Sequence, residues 1–296
     1  MMNYKNILNI RAELRRYLVK YPKRGLAVGM SGGIDSTVCA ALASPVCQDL
    51  GRSLIGRSIT IESNTDEERN RAMLAGTAFC TEFDEDNLTA MYEAIRDFVW
   101  GLVFTKISTG QKVDLPAISD FDRKVINGNI KARLRMTVLY HIAGFRKCIV
   151  LSTDNLTEHR LGFWTLNGDV GDLGMIQEVD KTGVYEIAEC LRDSYTGSTN
   201  QRRKEAMHKG IICDATDGLG ISSTDVDQII PDWRDHYTTT RKVYEAIDDI
   251  FNLWFGGQQS DVIDSPVIAR HNRTAYKRNN PYNFPLSLIM GERQDD

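Results

Sequence analysis

Short apolar runs alternate along the chain with stretches whose apolar positions recur every three or four residues. Ile7, Ile10, Leu14 and Leu18 mark an amphipathic helix at the N-terminus, and the run Leu26-Ala27-Val28-Gly29-Met30 is the first buried strand. Residues 37–50 read as the following helix and 54–61, aliphatic and β-branched, as a second strand. Thr65-Asp66-Glu67-Glu68 is a capping box that opens a helix to about residue 77, with 78–83 as a short third strand. The acidic cluster Asp84-Glu85-Asp86 is expected to cap the next helix, which carries Met91, Ile95 and Val99. Residues 105–121 turn polar, with Gly110 and Pro116, and are predicted to form an excursion outside the sheet. Ile126, Ile130, Leu134, Val138 and Ile142 predict a helix from about residue 125 to near Gly144, buried along that stripe. Cys148-Ile149-Val150-Leu151 is wholly apolar, as expected of a strand covered on both faces. The polar segment 193–212 is predicted to be mobile, and 237–255 forms a late helix before a Gly-Gly-Gln-Gln-Ser linker. Strands alternating with helices predict an α/β fold, a doubly wound parallel sheet with helices on both faces and ligands at the C-terminal ends of the strands. The organisation expected is a single domain over 1–296: an N-terminal helix (1–24), an α/β core (25–192), then C-terminal loops and a helix (193–296).

Directly behind the first strand stands Ser31-Gly32-Gly33-Ile34-Asp35-Ser36. Adjacent glycines let backbone N–H groups approach an anion, and the helix that follows turns its positive end toward the same anion. Ser31 and Ser36 add hydroxyl donors. Asp35 is repulsive beside a phosphate unless a divalent cation lies between them, which suggests Mg²⁺. Neither the Walker spacing nor a third dinucleotide-type glycine is present. The plain structural alternative is a Gly-Gly turn with Asp35 or Ser36 as the helix N-cap.

Composition narrows the field. The 296 residues carry 40 acidic and 36 basic side chains, net −4, so nothing in the overall charge attracts nucleic acid or an anionic membrane. Arg202-Arg203-Lys204 is too short to reverse that. The six cysteines are dispersed with no Cys-x-x-Cys pair, which suggests neither zinc nor a redox dithiol. The charged N-terminal helix does not read as a signal sequence and no apolar run approaches spanning length, so a cytoplasmic location is expected.

The loop at 31–36 resembles the Ser-Gly-Gly-x-Asp-Ser loop of the PP-loop ATP pyrophosphatases, which split ATP into AMP and pyrophosphate. Further along, Ser152-Thr153-Asp154 with Glu158, and Gly162-Phe163-Trp164-Thr165-Leu166-Asn167-Gly168-Asp169 followed by Lys181-Thr182, resemble the signature of the NAD synthetase family, with Ser152 in place of the usual glycine. Gly128-Asn129-Ile130-Lys131-Ala132-Arg133-Leu134-Arg135-Met136 is similar to a third family motif. Two more follow in order. Ala215-Thr216-Asp217-Gly218-Leu219-Gly220-Ile221-Ser222 is a shortened version of one, and Thr274 to Pro281 resembles the other, with Tyr276 where histidine is usual. Leu166 stands where ammonia-using members commonly carry lysine.

The resemblance implies an adenine nucleotide alpha hydrolase-like fold and the ATP-dependent amidation of deamido-NAD with ammonia. ATP would contact Ser31, Gly32, Gly33, Asp35, Ser36, Thr153, Lys181 and Thr216, with Mg²⁺ on Asp35 and Glu158. Deamido-NAD would meet Asn129, Arg133, Asp169, Asp172, Tyr276 and Lys277, with Phe121 stacking on the nicotinate ring. Asp35, Asp169 and Lys181 would be the catalytic groups. The spacing Asn155-x-x-Glu158 equally fits a helix capping box, and Arg133, beside the apolar stripe, is expected to be partly buried. Glutamine-using relatives carry an additional amidase domain for which the region before Leu26 is too short, so free ammonia is the expected donor. The resemblance also implies a homodimer. Kept open are another PP-loop amidotransferase or tRNA-modifying enzyme, and a non-catalytic adenine-nucleotide sensor.

Overall fold

The computed structural model describes residues 2–21, 25–104, 118–216, 218–281 and 283. Helix α1 (Tyr4–Lys20) starts at Asn3, whose side chain accepts the Lys5 N–H, and buries Ile7, Leu14 and Leu18. Next come β1 (Gly25–Gly29), α2 (Ile34–Asp49), β2 (Leu54–Thr60), α3 (Asp66–Phe79), β3 (Glu82–Asn87), α4 (Thr89–Phe104) and α5 (Asp120–Arg146). The core is completed by β4 (Cys148–Ser152), α6 (Leu156–Leu161), β5 (Leu173–Gly174) and α7 (Lys181–Ser194). Four more helices follow: α8 (Gln201–Ile212), α9 (Thr240–Phe255), α10 (Pro266–Arg273) and α11 (Ala275–Arg278).

The five strands form one parallel sheet in the order β3-β2-β1-β4-β5. Because β1 pairs with β2 on one side and β4 on the other, the order reverses between β1 and β4, and a crevice opens at their C-terminal ends. Alternate residues of the strands supply the two faces. Leu26, Val28, Ile149 and Leu151 pack with α1, α2, α3, α7 and α8, while Ala27, Ile55, Cys148 and Val150 pack under Leu139 and Ala143 of α5. A separate apolar cluster joins Leu161 of α6 to Val243, Tyr244, Ile247 and Phe251 of α9 and to Val267 and Ile268 of α10.

Several local expectations are corrected. The third strand is 82–87 and not 78–83, so the acidic cluster lies in a strand and caps no helix. Its charges are met from the side: Arg57 on β2 bridges Asp84 and Asp86, and Arg69 on α3 bridges Glu85. The α3 capping box does form, with Thr65 accepting the Glu68 N–H and Glu68 accepting the Thr65 N–H. Helix α2 begins at Ile34 with Gly33 as its N-cap and no side-chain cap, so neither Asp35 nor Ser36 caps it. Helix α5 starts five residues before the expected 125 and buries Gly128, Lys131, Ala132, Leu139 and Ala143, whereas Ile126 on the expected stripe is exposed. Its inner face carries small residues because it lies close on β1 and β4. Residues 201–212 are helical, and Ala206, Met207 and Ile211 join the core. Of the expected excursion at 105–121, residues 105–117 lie outside the described residues, as does Asp217.

Candidate active site

The loop after β1 is built by its glycines. Gly32 has φ 79°, and a Cβ there would meet the Glu68 carbonyl at 2.6 Å and the Ala72 nitrogen at 2.7 Å, so the loop lies flush against α3. Arg71 of α3 donates to the Gly32 carbonyl at 3.2 Å. The Ser31 hydroxyl accepts the Gly33 N–H at 3.2 Å and sits 3.2 Å from the Ser36 hydroxyl. Helix α2 leaves from this point with Asp35 in its first turn.

Two distant segments come to Asp35. Lys181, the first residue of α7, places its ammonium 2.5 Å from Asp35 Oδ2 and 3.1 Å from Glu158 Oε1. Asn155, the N-cap of α6, donates from Nδ2 to Asp35 Oδ1 at 2.9 Å. The capping reading of Glu158 holds, and the same side chain also meets Lys181. Its Oε2 accepts the Asn155 N–H while its Oε1 takes Lys181. Lys181 is 2% exposed, and Asp35 and Glu158 are each 17% exposed. Burial alone would lower the ammonium, but Asp35 and Glu158 hold it well above its ordinary value. Burial pushes the Glu158 carboxyl up to about 7, with Lys181 pulling against it.

A buried lattice behind the trio fixes Lys181. Asp248 of α9, 2% exposed, accepts the Thr157 hydroxyl through one oxygen and the Thr182 N–H and hydroxyl through the other, at 2.9 and 2.6 Å. Thr157 in turn accepts the Lys181 N–H at 2.8 Å. Its signal in the sequence is an aspartate on the stripe Val243, Tyr244, Ile247, Asp248, Phe251, where a charge is out of place unless partnered.

A cleft of about 260 Å³ opens over these groups. Ser31, Gly33, Asp35, Thr153, Glu158, Lys181 and Thr216 line it, as do Asp169 and Gly168 at one end and Arg57, Ser58 and Thr60 from β2 at the other. Thr216 donates to Glu68 at 2.6 Å. Arg135, to which the sequence assigned no role, ties the Ile59 carbonyl to Asn64 and the Gly218 carbonyl, and so closes one wall. Asp169 accepts the Thr165 N–H through both oxygens, at 2.9 and 3.0 Å. Burial raises its carboxyl to about 6 against that hydrogen bond. Asp154, accepting from Ser152 at 2.8 Å, is raised to about 7, by burial first and by Asp169 next.

Residues 6–193 match the model of the NAD synthase family. The chain belongs to the NAD synthase family. It is 34% identical to the NH3-dependent NAD synthetase of Pyrobaculum aerophilum over 75% of this chain and 74% of that one. It is 28% identical to that of Thermoplasma volcanium over 88% of this chain and 90% of the relative. The fold matches the solved NMN synthetase of Francisella tularensis with a TM-score of 0.66 at 23% identity, covering 96% of this chain and 99% of that one.

The remaining residues matched to NAD synthase motifs are distributed around the 162–169 loop and beyond it. Asn129 accepts the Thr165 hydroxyl at 2.8 Å, and Arg133 donates to the Leu166 carbonyl at 3.2 and 3.3 Å. Arg133 is exposed, contrary to expectation, because the face of α5 that presses on the sheet is the one bearing Ala132 and Leu139. Lys277 donates to the Gly162 and Trp164 carbonyls, clamping the same loop, and its ammonium lies 5.5 Å from the Trp164 ring centre. Asp172 is engaged behind the sheet edge, with Tyr140 donating to one oxygen at 2.8 Å and the Val150 N–H to the other at 3.1 Å. Phe121 and Tyr276 are exposed and do not line the cleft. Among the described residues no three His, Cys, Asp or Glu side chains are grouped to hold a metal ion, and no helix is long and apolar enough to cross a membrane.

Proposed function

We propose that this NAD synthase family member converts deamido-NAD to NAD with ATP and free ammonia, releasing AMP and pyrophosphate. The observation that carries the reading is the meeting of Asp35, Glu158 and Lys181 at the mouth of the 31–36 loop. ATP enters with its β- and γ-phosphates on Ser31, Gly32, Gly33 and Ser36, and with Thr153 and Thr216 as further contacts. The carboxylate of deamido-NAD attacks the α-phosphorus, the bond to the bridging oxygen breaks, and pyrophosphate leaves. Ammonia then attacks the carbonyl carbon of the acyl adenylate and AMP departs with the acyl oxygen. Lys181 carries positive charge toward the phosphates, where negative charge grows most. Asp169, with its carboxyl near 6, is ionised at neutral pH and takes the proton that nitrogen loses on forming the amide. Asn129, Arg133 and Lys277 hold the 162–169 loop that presents Asp169 and contact the dinucleotide at its edge. Asp172, Phe121 and Tyr276 complete the dinucleotide contacts in this proposal.

Asp35 and Glu158 fit Mg²⁺. Both line the cleft with hard carboxylate oxygens beside the Lys181 ammonium, and Mg²⁺ is usually held by one or two carboxylates with substrate phosphates. When bound, the ion supplies charge neutralisation on the departing pyrophosphate. We place the chain in the cytoplasm, where its six cysteines stay reduced. We also propose a homodimer, supported by exposed apolar side chains on α4 and α5, among them Phe98, Leu102, Phe121 and Ile126.

The test supplies deamido-NAD, ATP, Mg²⁺ and ammonium and quantifies NAD and AMP together, with a parallel arm offering the nicotinate mononucleotide. Equal yields of NAD and AMP support the reading. AMP without NAD overturns the substrate assignment, and neither product in either arm overturns the enzyme.

A further inference from the structure

A second cavity, of about 220 Å³, lies at the far end of the helices that leave the active site. Ser44, Pro45 and Gln48 of α2 line it together with Ser194 at the end of α7, Tyr195 and Phe79. Ser44 is ten residues beyond Ile34, which at the helical rise puts the cavity roughly 15 Å from the 31–36 loop. Arg11 of α1 enters from one side and Arg203, in the first turn of α8, from the other, with Asn200 beside it. No carboxylate is among the described residues that line it. Asp49, the neighbour of Gln48, is outside the lining and is taken by Arg15.

The two guanidiniums are only partly used. Arg11 donates to the Ala41 carbonyl at 3.2 Å through one terminal nitrogen, and its buried Nε has no hydrogen-bond partner. Arg203 donates through Nε to the Ala78 carbonyl at 3.2 Å. The Tyr195 phenol lies within the field of both, shares a hydrogen bond with the Arg11 side chain and is in ring contact with Phe79 at 5.9 Å. Two arginine side chains line one cavity, and an anion with several acceptor oxygens offers partners to their remaining N–H donors. Of the Arg202-Arg203-Lys204 run, Arg203 alone lines this cavity.

We infer that this cavity is a binding site for a small tetrahedral oxyanion of the phosphate class, held by Arg11 and Arg203 with the Tyr195, Ser44 and Asn200 polar groups. It is separate from the catalytic cleft. Crystals of the full chain containing a non-hydrolysable ATP analogue, soaked in tungstate, should show the metal's anomalous peak between Arg11 and Arg203. In solution, titration of the same complex with inorganic phosphate should give one site whose affinity falls at least about ten-fold in Arg203→Gln and in Arg11→Gln, two charged contacts being removed one at a time. Arg202→Gln is the control, since Arg202 donates to Thr77 and does not line the cavity. Tungstate found only elsewhere, or phosphate affinity unchanged in Arg203→Gln, overturns the inference. Melting curves of each variant confirm that the titrated protein is folded, and the soak requires no variant.

Discussion

Replacing Lys181 by methionine keeps the length of the side chain and removes its charge from a position that is 2% exposed. Asp35 and Glu158 then face each other without a counter-charge. Removing one partner of a buried ion pair costs about 3–5 kcal/mol, and that is the loss expected at pH 8. The pH dependence follows from Glu158. Its folded carboxyl stands at about 7 against an ordinary 4.5, so between those values the folded protein holds a proton that the unfolded chain has released. Stability therefore falls as pH rises through this window. Without Lys181, the strongest influence opposing burial at Glu158 is gone, its pKa climbs further, and the loss continues above pH 7. Urea denaturation of both proteins at pH 5.5, 6.5, 7.5 and 8.0 measures the difference. The variant's deficit should grow by about 1 kcal/mol or more from the lowest to the highest pH, the part of one further pH unit in the Glu158 carboxyl that is expressed by pH 8. A deficit that is flat with pH, or below about 1 kcal/mol at pH 8, refutes the picture of one ammonium balancing two carboxylates.

Glu158→Gln keeps an oxygen for the Asn155 N–H but loses the charge, so its melting temperature should stay near wild type while the Mg²⁺ concentration for half-maximal activity rises about ten-fold or more; a cap-only role for Glu158 predicts no change in Mg²⁺ requirement. Gly32→Ala should cost more than about 2 kcal/mol and abolish measurable ATP binding by calorimetry, because its Cβ meets α3 backbone and its φ is positive. Asp169→Asn should lower NAD formation by roughly 10²–10⁴ at saturating ammonia while leaving ATP–pyrophosphate exchange largely intact, and the wild-type rate should fall as pH drops through about 6, where Asp169 takes up a proton. Exchange lost in proportion would move Asp169 into the first half-reaction.

The sequence is most legible where one physical cause dominates. Short apolar runs at β1 and β4, and aliphatic and β-branched residues at β2, read as buried strands, and Thr65-x-x-Glu68 wrote its own capping box. The loop at 31–36 was legible because positive φ and close backbone approach admit few residues besides glycine. Strand β3 was misread because three carboxylates in a row have no reason to be a strand until Arg57 and Arg69 are known to lie beside them. The same holds for the site. The capping role of Glu158 was legible from its spacing to Asn155, but the Asn155 amide reaching Asp35 spans 120 positions and leaves no local trace. Arg133 looked buried and Arg135 unremarked because the rotation of α5 is decided by the small residues it sets against the sheet.

Asp248 has a bearing on where a working unit can be cut. The NAD synthase family model matches residues 6–193, yet the carboxylate that seats Thr157 and Thr182, and through them the N-terminal turn bearing Lys181, is on α9, well past that limit. An excised fragment ending at residue 193 would retain every strand of the sheet and both carboxylates of the trio. It would lack the anchor that aims the lysine at them, so the stretch matched by the family model is shorter than the machine it belongs to.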